Sequence, residues 1–225
     1  MTGWNILMLH MIRRLRHERR AAVMIEMAFA IPFLILIGFS GLEIANMMLT
    51  QTRISQIGLS AADNASRIAF GSSLSQPSIR EIDINEVFTG VEEQASGLNF
   101  ATRGRVILSS LEQNDDDGQW IHWQRCYGSL NVASEYGVEG TGATGKDFKG
   151  MGPAGQEVTA ATGTAVMFIE ISYDYEPLLF GKALGSLGAL GTRRIRSTAA
   201  FNIREGRDLS QVYNPSPSVT VSRCT

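Results

Sequence analysis

The chain has 225 residues, with 20 Lys and Arg against 22 Asp and Glu, so its formal net charge is −2. That balance excludes a strongly basic nucleic-acid-binding protein, and a hydrophobic content of 44% excludes a disordered chain. Two Cys and three His exclude a disulfide-dense scaffold and a four-thiolate zinc site, and they leave little for a metal hydrolase.

The N-terminus combines a basic leader with a long apolar run. Five Arg and a single acid, Glu18, lie in the first twenty residues, and residues 21–42 contain only one charge, that of Glu26. A helix of this length spans roughly 30 Å, the thickness of the hydrocarbon core of a bilayer. We therefore predict a membrane-spanning helix with the Arg residues in the cytoplasm and the chain after about Glu43 outside it. The alternative is a buried core helix of a soluble protein.

Glu26 is the one residue of this run whose insertion into the membrane is energetically unfavourable. A charged side chain at the centre of a membrane helix costs at least about 2.5–3.5 kcal/mol on insertion scales, so such a residue is a candidate functional site. The alternative interpretation places Glu26 at the headgroup boundary, where its carboxylate reaches water.

The segment HERRAAVMIEMAFAIPFLILIGFSGLEIANMMLTQ resembles the N-terminus of TadE-like proteins, which are pseudopilins of the tight-adherence (Flp-type) pilus system. The family pattern is a basic leader, a small residue before a cleavage site, four residues, a Glu, an apolar run with an early Pro, and a Gly-x-x-Glu-like end. Ala21 occupies the small position, Ala22 follows the cut, and Glu26 is the fifth residue of the mature chain. The other motif positions are Pro32, Gly38, Gly41 and Glu43.

The resemblance implies cleavage between Ala21 and Ala22 by a membrane-embedded aspartyl prepilin peptidase. It also implies that Glu26 pairs with the Ala22 amine of a neighbouring subunit, since two unpaired charges in lipid are expensive. The partners implied are other pilin-like subunits, the prepilin peptidase and the inner-membrane platform of the pilus machinery.

The remaining sequence predicts an α+β fold in which a long N-terminal helix packs on a small antiparallel sheet. We expect the leader at 1–21, the helix over 22–70, an extracytoplasmic α+β domain over 71–207 and an extended, poorly ordered tail over 208–225. Within the helix, apolar residues that include Leu42, Leu49, Ile57 and Ala61 recur at mostly three- and four-residue spacing, and Ile54 fits this stripe less well.

Strand patterns dominate the second half of the chain. Residues 105–111 and 120–127 predict a hairpin around an Asn-Asp-Asp-Asp-Gly turn, and 193–204 predicts a last strand. Alternation within 158–175 predicts a half-buried strand with one mostly polar face. Residues 79–87 and 91–98 fit short helices or loops, and the Gly-rich stretch 137–155 fits a flexible surface loop. The segments EISYDYEPLLF and RRIRSTAAFNIRE also resemble the C-terminal part of TadE-like chains, though less closely.

The two cysteines, Cys126 and Cys224, leave two possibilities open. Both follow the predicted membrane span, and an oxidising periplasm permits a disulfide between them. Two free thiols are the alternative, because the sequence does not give their distance.

Three other patterns carry little functional weight. Gly140–Lys146 fits G-x-x-x-x-G-K, but Asp147 follows the Lys where a P-loop has Ser or Thr. Asp115–Asp117 reads as a solvated turn rather than a Ca²⁺ site. His122 has no nucleophile motif beside it, so we interpret it as structural. We expect no cofactor, no metal and no catalytic residues.

The sequence therefore predicts a TadE-like minor pseudopilin, a single-pass inner-membrane protein with a periplasmic C-terminal domain that serves as a structural component of a pilus or secretion apparatus. An unprocessed, membrane-anchored periplasmic assembly factor is the first alternative, and a membrane-tethered periplasmic enzyme is the second.

Overall fold

The computed structural model describes residues 19–71, 76–178, 193–204 and 206–224. The chain divides into two compact units, Met1–Met47 and Met48–Thr225. The elements are α1 (Arg19–Arg67), α2 (Glu81–Gln94), α3 (Phe100–Arg103), β1 (Gly104–Gln113), β2 (Gln119–Tyr127), β3 (Ala165–Tyr175) and β4 (Arg193–Asn202).

The four strands form one antiparallel sheet in the order β2-β1-β3-β4. The β1–β2 hairpin closes through Asn114, whose side-chain oxygen accepts hydrogen bonds from the amides of Asp116 and Gly118 at 3.0 and 2.7 Å. This is the turn chemistry that an Asx residue supplies at the start of a loop. The predicted hairpin and the predicted last strand are both present.

One face of the sheet packs on the C-terminal part of α1, which confirms the predicted α+β fold. Ile54, Ile57, Ala61 and Ala65 are buried at three- and four-residue spacing. Burial of each Ile contributes on the order of 1.5–3 kcal/mol. Ile54, which fits the sequence pattern less well, is fully buried, whereas Leu49 of the predicted stripe is 70% exposed.

The opposite face of the sheet is covered by the Gly-rich part of the chain. Leu111, Ile121 and Phe168 form a core cluster there with Met151, which is fully buried. Met151 also exchanges two backbone hydrogen bonds with Val158. The expectation of a surface loop over 137–155 is therefore wrong for this part of it.

Coverage of both faces explains why β3 differs from its prediction. Most side chains of β3 are buried, including the polar-face residue Glu170, so the strand is central rather than half-buried. Period-two alternation marks one polar face, but it does not reveal that a later loop covers that face.

The remaining segments also depart from expectation. Helix α1 ends at Arg67, and the predicted pair of short helices is a single helix, α2, which buries Ile84, Val87, Phe88 and Val91. The tail after residue 207 is extended as predicted, but it is tied to the fold. Tyr213 exchanges backbone hydrogen bonds with Ile79 and Glu81.

Candidate functional site

The candidate site is the first half of α1, where the predicted motif residues lie. The stretch from Ala22 onward reaches a mean hydropathy of 2.3 over an 18-residue window, and none of that window is buried by the protein. Large apolar side chains such as Met24, Phe29 and Ile37, each at least 70% exposed, lie on several sides of the helix. A helix that is apolar all round needs lipid or other helices around it. This segment is long and apolar enough to cross a membrane.

Glu26 lies on this helix, one turn after Ala22, and both residues are exposed. Because i and i+4 positions share a helix face, the Glu26 carboxylate and the backbone at Ala22 lie on the same side of α1. The Ala21–Ala22 bond lies inside the helix, whose described residues run from Arg19 to Arg67.

The other motif residues follow along the same helix. Pro32 is inside α1, and the helix continues past it to Arg67. Gly38 and Gly41 have no heavy atom of another residue near the position that a side chain would take, so open space surrounds both. Glu43 is buried, with 8% of its surface exposed.

In the second unit, α1 is held at a position that the sequence did not single out. Arg53 donates to the backbone oxygen of Gln94 at 3.1 and 2.7 Å and to that of Ser96 at 2.8 Å. These carbonyls belong to the C-terminal end of α2, where a cation is favoured by the helix dipole. Arg53 therefore joins α1 to α2. The two contacting segments are far apart in the sequence, so no sequence pattern indicates this contact.

The C-terminal end of α1 is capped by a second Arg that sequence reasoning missed. Arg207 is 3% exposed and donates from Nη1 to the backbone oxygens of Ile68 and Ala65, at 2.6 and 3.5 Å. Burial lowers the pKa of Arg207 to about 10, against a smaller opposing effect of Glu112. The sequence places Arg207 only at the end of the predicted 71–207 domain and gives no pattern that indicates its contact with α1.

The N-terminus of α2 is tied to the sheet by a buried ion pair. Arg125 on β2 contacts both carboxylate oxygens of Glu81, and Nε lies 2.9 Å from Oε2. Glu139 approaches the same guanidinium at 3.3 Å. Both members of the central pair are nearly inaccessible to solvent, so this cluster stabilises the position of α2 as long as it stays complete.

Cys126 and Cys224 form a disulfide, with their Cα atoms 4.9 Å apart. The Cys126 amide donates to the Ser222 oxygen at 2.7 Å, so the tail pairs with the end of β2. Asn85 of α2 binds the same tail through the Thr220 oxygen, at 2.9 Å.

The backbone groups of the Gly140–Lys146 segment are hydrogen-bonded to the β1–β2 turn, unlike those of a phosphate-binding loop. The Gly145 amide donates to the Asp116 carboxylate at 2.7 Å, and Asn114 donates to the Gly142 and Gly145 oxygens at 2.8 Å. The segment thus docks on the hairpin turn, and β3 is the next element among the described residues that follow it, where a phosphate loop would be followed by a helix. Its polar groups therefore hold the segment and the β1–β2 turn together.

His122 contacts a buried carboxylate. Its Nδ1 is 2.9 Å from the Glu112 Oε2, and its ring stacks on Trp120 with centroids 4.3 Å apart. The other Glu112 oxygen accepts from Ser110 at 2.6 Å, which leaves that hydroxyl engaged with the carboxylate rather than with the imidazole. Across the described ranges, no group of three or more His, Cys, Asp and Glu is arranged to hold a metal ion.

Comparison of the chain with protein-family models, with curated proteins and with solved structures finds no match. The features that bear on function are therefore those of the molecule itself: an apolar N-terminal helix with one early carboxylate, and a disulfide-closed α+β unit that holds the continuation of that helix.

Proposed function

We propose that this protein is a TadE-like minor pseudopilin, anchored in the inner membrane by α1 and processed by a prepilin peptidase. The observation that carries the proposal lies in the first half of α1, where an 18-residue window has a mean hydropathy of 2.3 and is not buried by the protein. Its basic leader, the Ala21–Ala22 bond and Glu26 match the motif of that family in type and spacing. The protein is a structural component of a pilus or secretion apparatus and has no catalytic role.

Glu26 is the pairing residue of this proposal. Once the leader is removed, the Ala22 amine carries a positive charge in or near the hydrocarbon, and Glu26 carries a negative one. Pairing between subunits removes the cost of two isolated charges and fixes the register of neighbouring helices. The polar and folded part of the chain then projects into the periplasm, where its surface selects partners.

The test is the intact mass and N-terminal sequence of the protein recovered from membranes of cells with an active prepilin peptidase. We expect a chain that begins at Ala22, and we expect Ala21→Leu to abolish this processing because the peptidase needs a small residue there. An intact leader, with the peptidase active on another substrate, overturns the proposal. It leaves the alternative of an unprocessed, membrane-anchored assembly factor.

The pairing role of Glu26 needs a second variant. Glu26→Ala should insert into the membrane normally but lose incorporation into complexes with other pilin-like subunits, measured by co-purification of the crosslinked assembly. Glu93→Ala, an exposed carboxylate of α2 outside the motif, is the matched control. Equal incorporation of Glu26→Ala and wild type contradicts this role.

A further inference from the structure

The two edge strands of the sheet, β2 and β4, differ in whether their outward backbone groups have hydrogen-bond partners. Along β2, the outward amides of Ile121 and Cys126 donate to the Thr141 and Ser222 oxygens, at 2.9 and 2.7 Å. The Gln124 amide donates to the Glu139 carboxylate at 2.9 Å. Loop and tail together close this edge, which is how natural sheets prevent unwanted strand pairing.

The outer edge of β4 is open in the parts of the chain that the structure describes. Residues 194–202 pair with β3 in unbroken register, and none of their backbone groups has another partner there. The Ile203 amide donates to the Ala165 oxygen at 3.0 Å, and the Arg204 amide donates away from β3, to the Ser66 oxygen at 3.3 Å. Since the direction alternates along an antiparallel strand, the even-numbered residues Arg194 to Asn202 present their N–H and C=O groups outward.

The side chains beside this edge differ on the two faces of the sheet. On one face, α1 runs alongside β4: Ser55 contacts Ser197 at 3.3 Å, and Asp63 pairs with Arg204 at 2.7 Å. Leu59 lies one turn from each of these α1 residues, on the same flank, and it is 51% exposed. An apolar side chain on an added strand would therefore meet Leu59.

On the other face, the edge is basic at its N-terminal half. The Arg194 and Arg196 side chains are 38% and 49% exposed, although each already pairs with a carboxylate, from Asp174 and Glu135 respectively. The following stretch, Ser197–Asn202, has no charge, no Pro and no bulge. Charged side chains, which disfavour unwanted strand pairing, therefore lie along only the N-terminal half of the β4 edge. The C-terminal half has none of these features.

We propose that the outer edge of β4 binds an extended segment of another protein by strand addition. The segment carries apolar residues toward Leu59 and carboxylates toward Arg194 and Arg196, since main-chain pairing supplies affinity and alternate side chains supply specificity in this mode. The inference does not depend on the pseudopilin function, because it uses only contacts within the second unit.

The probe is a fluorescein-labelled peptide of sequence Glu-Val-Glu-Val-Thr-Val-Thr-Val, titrated by fluorescence anisotropy against the full-length protein in detergent. We expect saturable binding that weakens with added salt. Ala200→Pro should weaken it at least tenfold, because Pro removes an outward N–H while leaving the β3 pairing intact. Ala200→Val keeps that N–H and is the matched control, and a peptide with Lys in place of Glu should bind more weakly than the Glu peptide.

Hydrogen exchange measured on the wild type keeps the inference falsifiable if the Pro variant fails to fold. The Thr198 and Ala200 amides should exchange fast in the free protein and slow down when the peptide is added, while the Ala199 amide is protected in both. Protection of Thr198 and Ala200 without peptide overturns the proposal, because the edge is then already covered. Equal binding by Ala200→Pro and Ala200→Val, or by the Lys and Glu peptides, also overturns it.

Discussion

Glu170 shows how a single buried carboxyl group responds to its surroundings. It lies on the central strand and accepts hydrogen bonds from the Ser134 hydroxyl at 2.6 Å and the Glu135 amide at 2.9 Å. Burial raises its pKa to about 7, against the smaller, opposing effect of the Ser134 bond. The carboxyl group thus holds the segment after β2 onto the sheet, and its protonation state changes near neutral pH.

The raised pKa of Glu170 predicts a pH-dependent stability. Between about pH 4.5 and pH 7 the unfolded chain ionises this group while the folded protein keeps it protonated, so the folded state loses stability as the pH rises. The loss from this group is complete above pH 7 and amounts to about 3 kcal/mol. Glu170→Gln should therefore gain stability relative to wild type at pH 8 compared with pH 5, measured by denaturant unfolding in detergent. Glu93→Gln, an exposed control, should show no such difference, and parallel pH curves for Glu170→Gln and wild type would contradict the assignment.

Arg207 provides a prediction about a helix end. Arg207→Met removes the donor to the Ile68 and Ala65 carbonyls, which are then buried without that partner, so we expect a loss of about 1–3 kcal/mol of unfolding free energy. Arg204→Met breaks only a solvent-exposed ion pair with Asp63 and should therefore cost less than Arg207→Met. Chemical denaturation of both variants compares them directly. A smaller effect at Arg207 than at Arg204 would show that burial of the guanidinium costs as much as its hydrogen bonds contribute.

At the scale of elements, sequence patterns predicted the features that depend on residues close together in the chain. The hairpin follows from two apolar runs around Asn114–Gly118, and α1 follows from an apolar run that continues into apolar residues at three- and four-residue spacing. The Arg53, Arg125 and Arg207 contacts join segments far apart in sequence, and no spacing rule indicates them. Met151 was missed for the same reason, because an isolated Met in a Gly-rich stretch has no periodic neighbours.

The disulfide fixes the C-terminal tail to the end of β2. It closes a loop of roughly a hundred residues, for which the chain-entropy account gives about 4–5 kcal/mol of stabilisation. The double variant Cys126→Ser, Cys224→Ser should lower the denaturation midpoint accordingly and free the tail from Asn85. Treatment of wild type with a reducing agent should give the same midpoint as the double variant. An unchanged midpoint in both would show that the tail is held by its other contacts.

At the scale of the whole molecule, the proposed topology places the second unit outside the cytoplasm. Both native Cys are consumed by the disulfide, so Asp147→Cys adds a single exposed thiol. A membrane-impermeant maleimide should label that thiol in intact spheroplasts. Thr2→Cys, in the leader of a chain blocked from processing by Ala21→Leu, should react only after permeabilisation. The reverse pattern would invert the topology and exclude a periplasmic role.

The disulfide also sets an order of events during synthesis. Cys126 precedes Cys224 by 98 residues, which a ribosome needs roughly 5–20 s to add at typical elongation rates. For that interval β2 is complete, yet its thiol has no partner in the chain. An oxidase that acts on each cysteine as it emerges would capture Cys126 in a mixed disulfide, and the native bond would then form by exchange once Cys224 arrives. Production of the native protein should therefore depend on the exchange capacity of the compartment as well as on its oxidising power.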